Sequence, residues 1–558
     1  LVQPIEWMAD CLFYPERAKL AKSFRMDNSD VAVALGMTFE RKRDRYSYAE
    51  LEPARDKLMQ LAREYSGIPQ EQRNAVQSQL INLAQNLLEF ENLCDYLSFA
   101  RAGVAIPQDS PISGLFPGEP RPRLSLVLAK AAQIKELIGK DPSQNKSTHE
   151  YLQALYESVS GATLRLFPPV EPAETEWLTP ESITQQAFGP AQVSPESLNL
   201  LGLLEDAALN PADPAKIAAF HSAVTVQTAG RADCAKIPLE VTFHRLKLFY
   251  YSLVVFVLGF LAVTVSWLAP RSRVVYASGI VSVLVAAILL AAGITLRCII
   301  RGRPPVTTLY ETILFATLVA VGVAVFMELA NRRSIMLALA AVLGTLGMFL
   351  ANKYEIREGA DTMPSMVAVL DTNFWLATHV TTITMGYGAG FLASAIAHIY
   401  IAGRALRLKA KDAAFYRQLA RMTYGVLCFS LLFTIVGTVL GGIWANESWG
   451  RFWGWDPKEN GALMIVLWQL AILHARLGGY IKDFGIVLAS VFTGVVVAFS
   501  WFGVNLLGVG LHSYGFTSGT YKALLGFYAI EAVVLLVGAA VWSWEDKKRA
   551  LNSQKECR

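Results

Sequence analysis

Residues 444–463 read WANESWGRFWGWDPKENGAL and hold Trp444, Trp449, Trp453 and Trp455, with Phe452, Asp456, Lys458 and Glu459 among them. An indole ring is apolar with one polar N–H, so tryptophan favours the depth where a bilayer meets water. An interfacial aromatic belt is one account of the stretch. The density of tryptophan beside Asp456, Lys458 and Glu459 supports another, a surface that stacks a large flat aromatic ligand and orients it with a few polar groups. Histidine supplies the second kind of chemistry, because a neutral imidazole is a good metal ligand. Four histidines lie in the apolar half beyond its first span: His379 in FWLATHV, His398 in LASAIAHIY, His474 in WQLAILHAR and His512 in GVGLHSYG. Ionisable side chains are costly inside a membrane, which makes each a candidate for function.

The elements that position these residues follow from the hydropathy pattern. Of the 558 residues 53% are hydrophobic and 17% charged, an apolar balance for a soluble protein. The average hides two halves. Residues 1–245 are charged and loop-rich, with helical spacing of apolar residues at 48–65 and 70–97 and Pro-rich stretches at 106–122 and 168–180. No run there is long enough to span a bilayer. From residue 246 apolar runs follow one another, and a spanning helix needs roughly 20 residues. The expected spans are 248–268, 276–292, 308–329, 335–350, 375–401, 424–443, 462–477, 484–502 and 524–542. The expected fold is therefore all-α: a polytopic transmembrane bundle of about nine spans, preceded by a mostly helical domain. The expected divisions are 1–245, 246–545 and a tail at 546–558. Gly450, Gly454 and Pro457 predict a break in any helix through the tryptophan stretch, so a loop or half-buried platform is expected there.

Basic residues in short loops set the orientation. The loop after the fifth span carries Arg404, Arg407, Lys409, Lys411, Arg417 and Arg421 and is expected to be cytoplasmic. By alternation the tryptophan stretch, the N-terminal domain, the outer end of the fifth span with His379 and the loop with His512 are extracytoplasmic. Arg297, Arg301 and Arg303 then lie outside, against the trend. They are either charges that flank a helix or basic groups that receive a ligand's carboxylates. A long hydrophilic domain placed outside, in a chain that opens on leucine, predicts further membrane spans upstream. The net charge of +4 gives no case for nucleic acid. Cys11, Cys94, Cys234, Cys298, Cys428 and Cys557 form no C-x-x-C motif, and their spacing singles out no disulfide among the first three. No catalytic constellation is evident in residues 1–240, where His149 and His221 stand alone.

The string WANESWGRFWGWDPKE resembles the "WWD" signature of membrane proteins that handle heme during cytochrome c maturation, in the CcsA/ResC branch. The resemblance covers residues 246–544, and PPVTTLYE at 304–311 also resembles a segment of that family. It implies that His379 and His512 ligate the iron of one heme b at the outer face, with the tryptophans against the porphyrin and Asp456 among the contacts. Arg297, Arg301 and Arg303 become candidates for the heme propionates. It implies that His474 serves an inner heme site, with a second ligand from a CcsB/ResB-like half or subunit. The implied activity is that of a cytochrome c synthase (heme lyase). It presents heme for covalent attachment to the CxxCH of apocytochrome c, with thiol-reducing proteins as further partners. The family's CcsB part is expected to be β-rich outside the membrane, a pattern absent from residues 1–245. A two-heme b-type electron carrier, pairing His379 and His398 with His512 and His474, is the alternative from spacing alone.

Overall fold

The structure, a computed structural model, describes residues 4–26, 28–37, 45–69, 73–140, 146–171, 174–190, 193–232, 234–269, 271–332, 334–358, 363, 374–409, 412–507 and 520–556. The chain divides into two compact units, Leu1–Ala235 and Lys236–Arg558.

The first unit is helical, with one antiparallel ladder of two-residue strands, Phe24–Arg25 against Arg45–Tyr46. Its helices begin where the sequence offers caps. Ser47 with Glu50, and Asn74 with Gln77, each close a capping box that satisfies N–H groups of the first turn. The helix Ala75–Asp95 buries Leu80, Leu83, Leu87 and Phe90 in a core shared with Phe24, Met26 and Leu58. Cys11 and Cys94 lie in that core as two thiols hydrogen-bonded to each other. A second core gathers Tyr96, Ile112, Tyr151, Phe167 and Leu201. Within it Glu205 accepts hydrogen bonds from the Ser125 N–H and hydroxyl, and burial raises its carboxyl above the usual carboxylate range.

In the second unit nine helices among the described residues are long and apolar enough to cross a membrane. They are labelled α1 (Leu248–Leu268), α2 (Arg273–Arg301), α3 (Leu309–Asn331), α4 (Ile335–Glu358), α5 (Phe374–Ala405), α6 (Ala413–Trp449), α7 (Pro457–Leu477), α8 (Asp483–Ala498) and α9 (Thr520–Glu556). A short helix, Ile237–Leu246, precedes α1 and packs Phe243 on Ile300 of α2, so it belongs to this unit. α9 continues through the expected tail to Glu556.

α5 is the axis of the bundle. Its closest partner is α6, and α3, α8 and α9 also pack on it. The sequence of α5 explains this with three alternate glycines. A Cβ at Gly386 would lie 2.8 Å from the Thr434 backbone of α6, one at Gly388 3.2 Å from the Ala316 carbonyl of α3, and one at Gly390 2.9 Å from Val497 of α8. Small residues let backbones approach in this way where no hydrophobic gradient drives association. Polar links reinforce the crossings. Ser430 of α6 donates to the Gly386 carbonyl at 2.7 Å and accepts from Gln469 of α7 at 2.7 Å. Glu328 of α3, 1% exposed, accepts from Tyr276 at 2.8 Å and from the Ser334 N–H at 2.7 Å, capping the start of α4.

Candidate tryptophan–histidine site

The sequence predicts a helix break at Gly450, Gly454 and Pro457 with a loop or half-buried platform, and the structure has that break but narrows it. Trp444 and Trp449 belong to helix α6, which runs on to Trp449 and ends at Gly450 with φ +69°. Gly441 and Gly442, helix breakers by composition, are there for close packing. A Cβ at Gly441 would lie 2.6 Å from Cε1 of His379, and one at Gly442 2.5 Å from the Phe452 ring. The non-helical connection is only 450–456. In it Trp455 adopts φ +58°, and the Arg451 guanidinium lies across Gly454 where any side chain would collide.

α7 restarts on a capping box. Asp456 accepts from the Lys458 N–H at 2.8 Å, and Glu459 accepts from the Gly454 and Asp456 N–H groups at 2.8 and 3.1 Å. Asp456 is buried, and its observed role is to start α7. Lys458 donates to the Trp501 carbonyl at 2.6 Å. Trp501 sits in a π-helical turn, Phe499–Gly503, that ends α8, and Ser500 of that turn donates to the Gly461 carbonyl at 2.8 Å. The connection is thus stapled to the ends of α6, α7 and α8.

His379 is the residue this framework holds best. It lies near the start of α5, at the same end of the bundle as the tryptophan turn. Its Nδ1 is 2.7 Å from the Gly437 carbonyl. A carbonyl only accepts, so Nδ1 carries the proton, and in neutral imidazole Nε2 then bears the lone pair. The ring is parallel to Trp444 within 7°, with centroids 6.5 Å apart. A backbone carbonyl on one ring nitrogen is the usual arrangement around a metal-binding histidine, because it fixes tautomer and orientation.

The four tryptophans do not form one flat surface. Trp444 is 5% exposed, whereas Trp455 is 71% exposed and Trp449 46%. Trp453 and Trp455 meet edge-on, at 86° and 6.1 Å. What they build is a buried wall behind His379 and an exposed rim of Trp449, Phe452 and Trp455.

The remaining predicted residues fall in three places. His512 lies outside the described residues. His474 is near the far end of α7, exposed, with Nδ1 2.8 Å from the Leu470 carbonyl. It is about 25 Å along the helix from Pro457 at 1.5 Å per residue. Arg297 and Arg303 are buried and turn to Glu311 of α3, at 2.9 and 3.8 Å. Glu311 also accepts from Thr307, and the Arg297 guanidinium lies over the Tyr310 ring at 5.2 Å. Arg301 is half-buried in the last turn of α2. The sequence reading noticed the arginines and the segment holding Glu311 without pairing them, because the partners are on different helices. It also missed Glu531 of α9, 3% exposed, though a carboxylate in an apolar run is itself a signal.

Comparison with known proteins gives consistent results. The family described as "Cytochrome C assembly protein" matches residues 306–512. The "Cytochrome c biogenesis protein CcsA" of Synechococcus sp. (strain CC9902) is 32% identical over 266 residues, 42% of this chain and 87% of that protein. The protein of the same name from Parasynechococcus marenigrum (strain WH8102) is 31% identical over 293 residues, 47% of this chain and 95% of its own length. "Protein NrfI" of Wolinella succinogenes is 33% identical over 228 residues, 40% of this chain and 24% of that protein.

Proposed function

Since the chain belongs to the CcsA family of cytochrome c assembly proteins and acts in cytochrome c biogenesis as a multi-pass membrane protein, we propose that its tryptophan-bearing end receives heme b and presents it for covalent attachment to apocytochrome c. The observation that carries this reading is His379, with Nδ1 fixed on the Gly437 carbonyl, Gly441 under its ring and Trp444 parallel behind it. Such a histidine offers Nε2 as its donor, and that donor chemistry fits heme.

In this reading heme is the cargo. His379 holds the iron on one side and His512 on the other. The rim of Trp449, Phe452 and Trp455 covers porphyrin surface, with Trp453 edge-on beside it. Asp456 contributes by fixing the start of α7 beneath the rim. Arg297 and Arg303 set the local positive charge through their cluster with Glu311, and Arg301 beside them is the candidate for a propionate. The attachment joins the heme vinyls to the two thiols of the CxxCH motif on apocytochrome c, and the protein's part is to orient and ligate. Thiol-reducing proteins keep those cysteines reduced. The tryptophan turn and residues 1–245 face the extracytoplasmic side of the cell membrane, and the N-terminal unit serves as a partner-facing domain.

His474 is the inner station on the heme path. Met464, Leu467, Ala471 and His474 form an exposed stripe at helical spacing on α7. That stripe is a face for a helix of a CcsB/ResB-like half or subunit, which supplies the second ligand. The two-heme carrier would need His398 as an inner ligand. Its Nδ1 meets the Ser394 carbonyl and its Nε2 faces Glu531 of α9 at 3.4 Å, a setting that favours the synthase.

The test is the pair of variants His379→Ala and His512→Ala. Each is expected to abolish holocytochrome c while the protein still inserts, and added imidazole is expected to restore part of the heme absorbance. Normal c-type cytochrome levels in both would overturn the assignment.

A further inference from the structure

The heme reading leaves His398 and Glu531 without a task. His398 lies on α5 one turn after Ser394, with Nδ1 2.8 Å from the Ser394 carbonyl. Since that oxygen only accepts, Nδ1 holds the proton and the neutral ring turns its lone pair to Nε2. Nε2 faces Oε2 of Glu531, on α9, at 3.4 Å. That oxygen is sealed from solvent and has no hydrogen-bond partner. α8 closes the third side. Gly494 brings its backbone so near that a Cβ would lie 2.6 Å from Ser394 Oγ and 3.7 Å from Glu531 Oε1. A lone pair and a carboxylate oxygen repel each other unless a proton lies between them, and a bare buried carboxylate is strongly disfavoured.

We propose that His398 and Glu531 bind one proton between Nε2 and Oε2, forming a protonation site inside the spanning bundle. The proton has two places to sit. Either a neutral carboxylic acid donates to a neutral imidazole, or an imidazolium faces a carboxylate. Both states carry no net charge, which suits a low-dielectric interior. Losing the proton strands an anion, and gaining a second strands a cation. Among the described residues, the other ion pairs on these three helices are Arg404 with Glu545 and Asp483 with Arg476. Asp483 begins α8, Arg404 is in the last turn of α5, and Glu545 lies well beyond Glu531 on α9. The pair also has a mechanical consequence. α5 carries His379, and α9 follows directly on the segment that carries His512. The shared proton therefore joins α9 to the helix that carries His379. The site itself stands on the geometry of α5, α8 and α9 and needs no heme.

Solid-state NMR of the full chain in lipid, with 15N-labelled histidine, tests this. The His398 signals are assigned by their loss in His398→Gln. Near neutral pH its Nε2 is expected to resonate away from the position of a bare lone-pair nitrogen, and to move to that position in Glu531→Leu. A bare lone-pair Nε2 in the unmodified protein overturns the proposal. Membrane abundance gives a second measurement if Glu531→Leu alone fails to fold. His398→Ala leaves Glu531 without a base and is expected to lower the level several-fold, while His398→Ala/Glu531→Leu recovers most of it. A double variant no more abundant than the single one overturns the pairing.

Discussion

His379, as the proposed iron ligand, would owe much of its competence to its neighbours. Its ring is set by a carbonyl and a missing side chain on the neighbouring helix, Gly437 and Gly441. Gly441→Ala places a methyl group where the imidazole now lies, without touching a ligand or a tryptophan. Supporting groups around metal-binding histidines are commonly worth 10–100-fold in affinity, so Gly441→Ala is expected to lower heme retention by about 10-fold in protein purified from membranes. Retention equal to that of the unmodified protein would mean that the carbonyl alone orients the ring. Asp456 allows a similarly sharp separation of roles. As a helix cap it should tolerate Asn, whereas Ala costs about 1 kcal/mol. Asp456→Asn is expected to keep cytochrome maturation near normal and Asp456→Ala to reduce it. Equal loss in both would indicate that the charge itself meets the ligand. The tryptophan stretch was legible as an aromatic cluster, but its geometry was not. Gly450 was readable as the end of a helix, whereas the close packing of Gly441 and Gly442 on His379 and Phe452 depends on neighbours distant in sequence.

Helices were the most readable elements because a bilayer demands long apolar runs, and each of the nine expected spans corresponds to one helix. Their ends were less readable. α2 runs to Arg301 and α6 to Trp449, past their apolar stretches, where Arg297 meets buried Glu311 and Trp444 meets half-buried His379. Cross-helix pairing was invisible, since Arg297–Glu311 and His398–Glu531 are set by packing between elements. The helices of the N-terminal unit carry their own electrostatic test. Glu205, on Pro195–Leu209, has its carboxyl raised chiefly by burial, and Ser125 only partly offsets this. A raised carboxyl contributes its full stability below the unfolded value, near 4.5. That contribution is lost as pH rises through the higher folded value. Glu205→Gln keeps an acceptor for Ser125 and removes the charge. At pH 7 it is expected to raise the unfolding temperature of this unit by ~2–4 °C, with the two proteins converging near pH 4. A variant less stable at pH 7 would show that Ser125 requires the ionised form.

At the scale of the whole molecule, the proposed heme residues of the described chain occupy two ends of one bundle. His379 and the tryptophan rim mark one end, and His474 lies toward the other on an outward-facing stripe. The proposed heme path between them would make the inner station a precondition for the outer one. His474→Ala is expected to deprive the outer site of heme even though every residue there is intact, and to lower holocytochrome c to background. The measurement is heme absorbance of the full-length protein together with any CcsB-like partner. Heme retained at the outer site in that variant would mean that loading bypasses α7. The sequence could place these histidines on sides of a membrane by alternation, but it could not say that His474 faces outward while His398 faces a carboxylate.

The three alternate glycines of α5 have a consequence for how the protein responds to its lipids. Gly388 meets a neighbour on the side of α5 opposite Gly386 and Gly390, so the helix is enclosed from both directions, and 67% of its most apolar stretch is buried within the protein. The corresponding share is 22% for the span containing α1 and 17% for α9. Acyl chains therefore press mainly on the outer helices, and a change in bilayer thickness is absorbed there by tilt. α5 is shielded from that mechanical load, and His379 is held to α6 by the Gly437 carbonyl and the Gly441 approach. A site built on the helix with little lipid contact keeps its dimensions when the surrounding membrane thins or thickens.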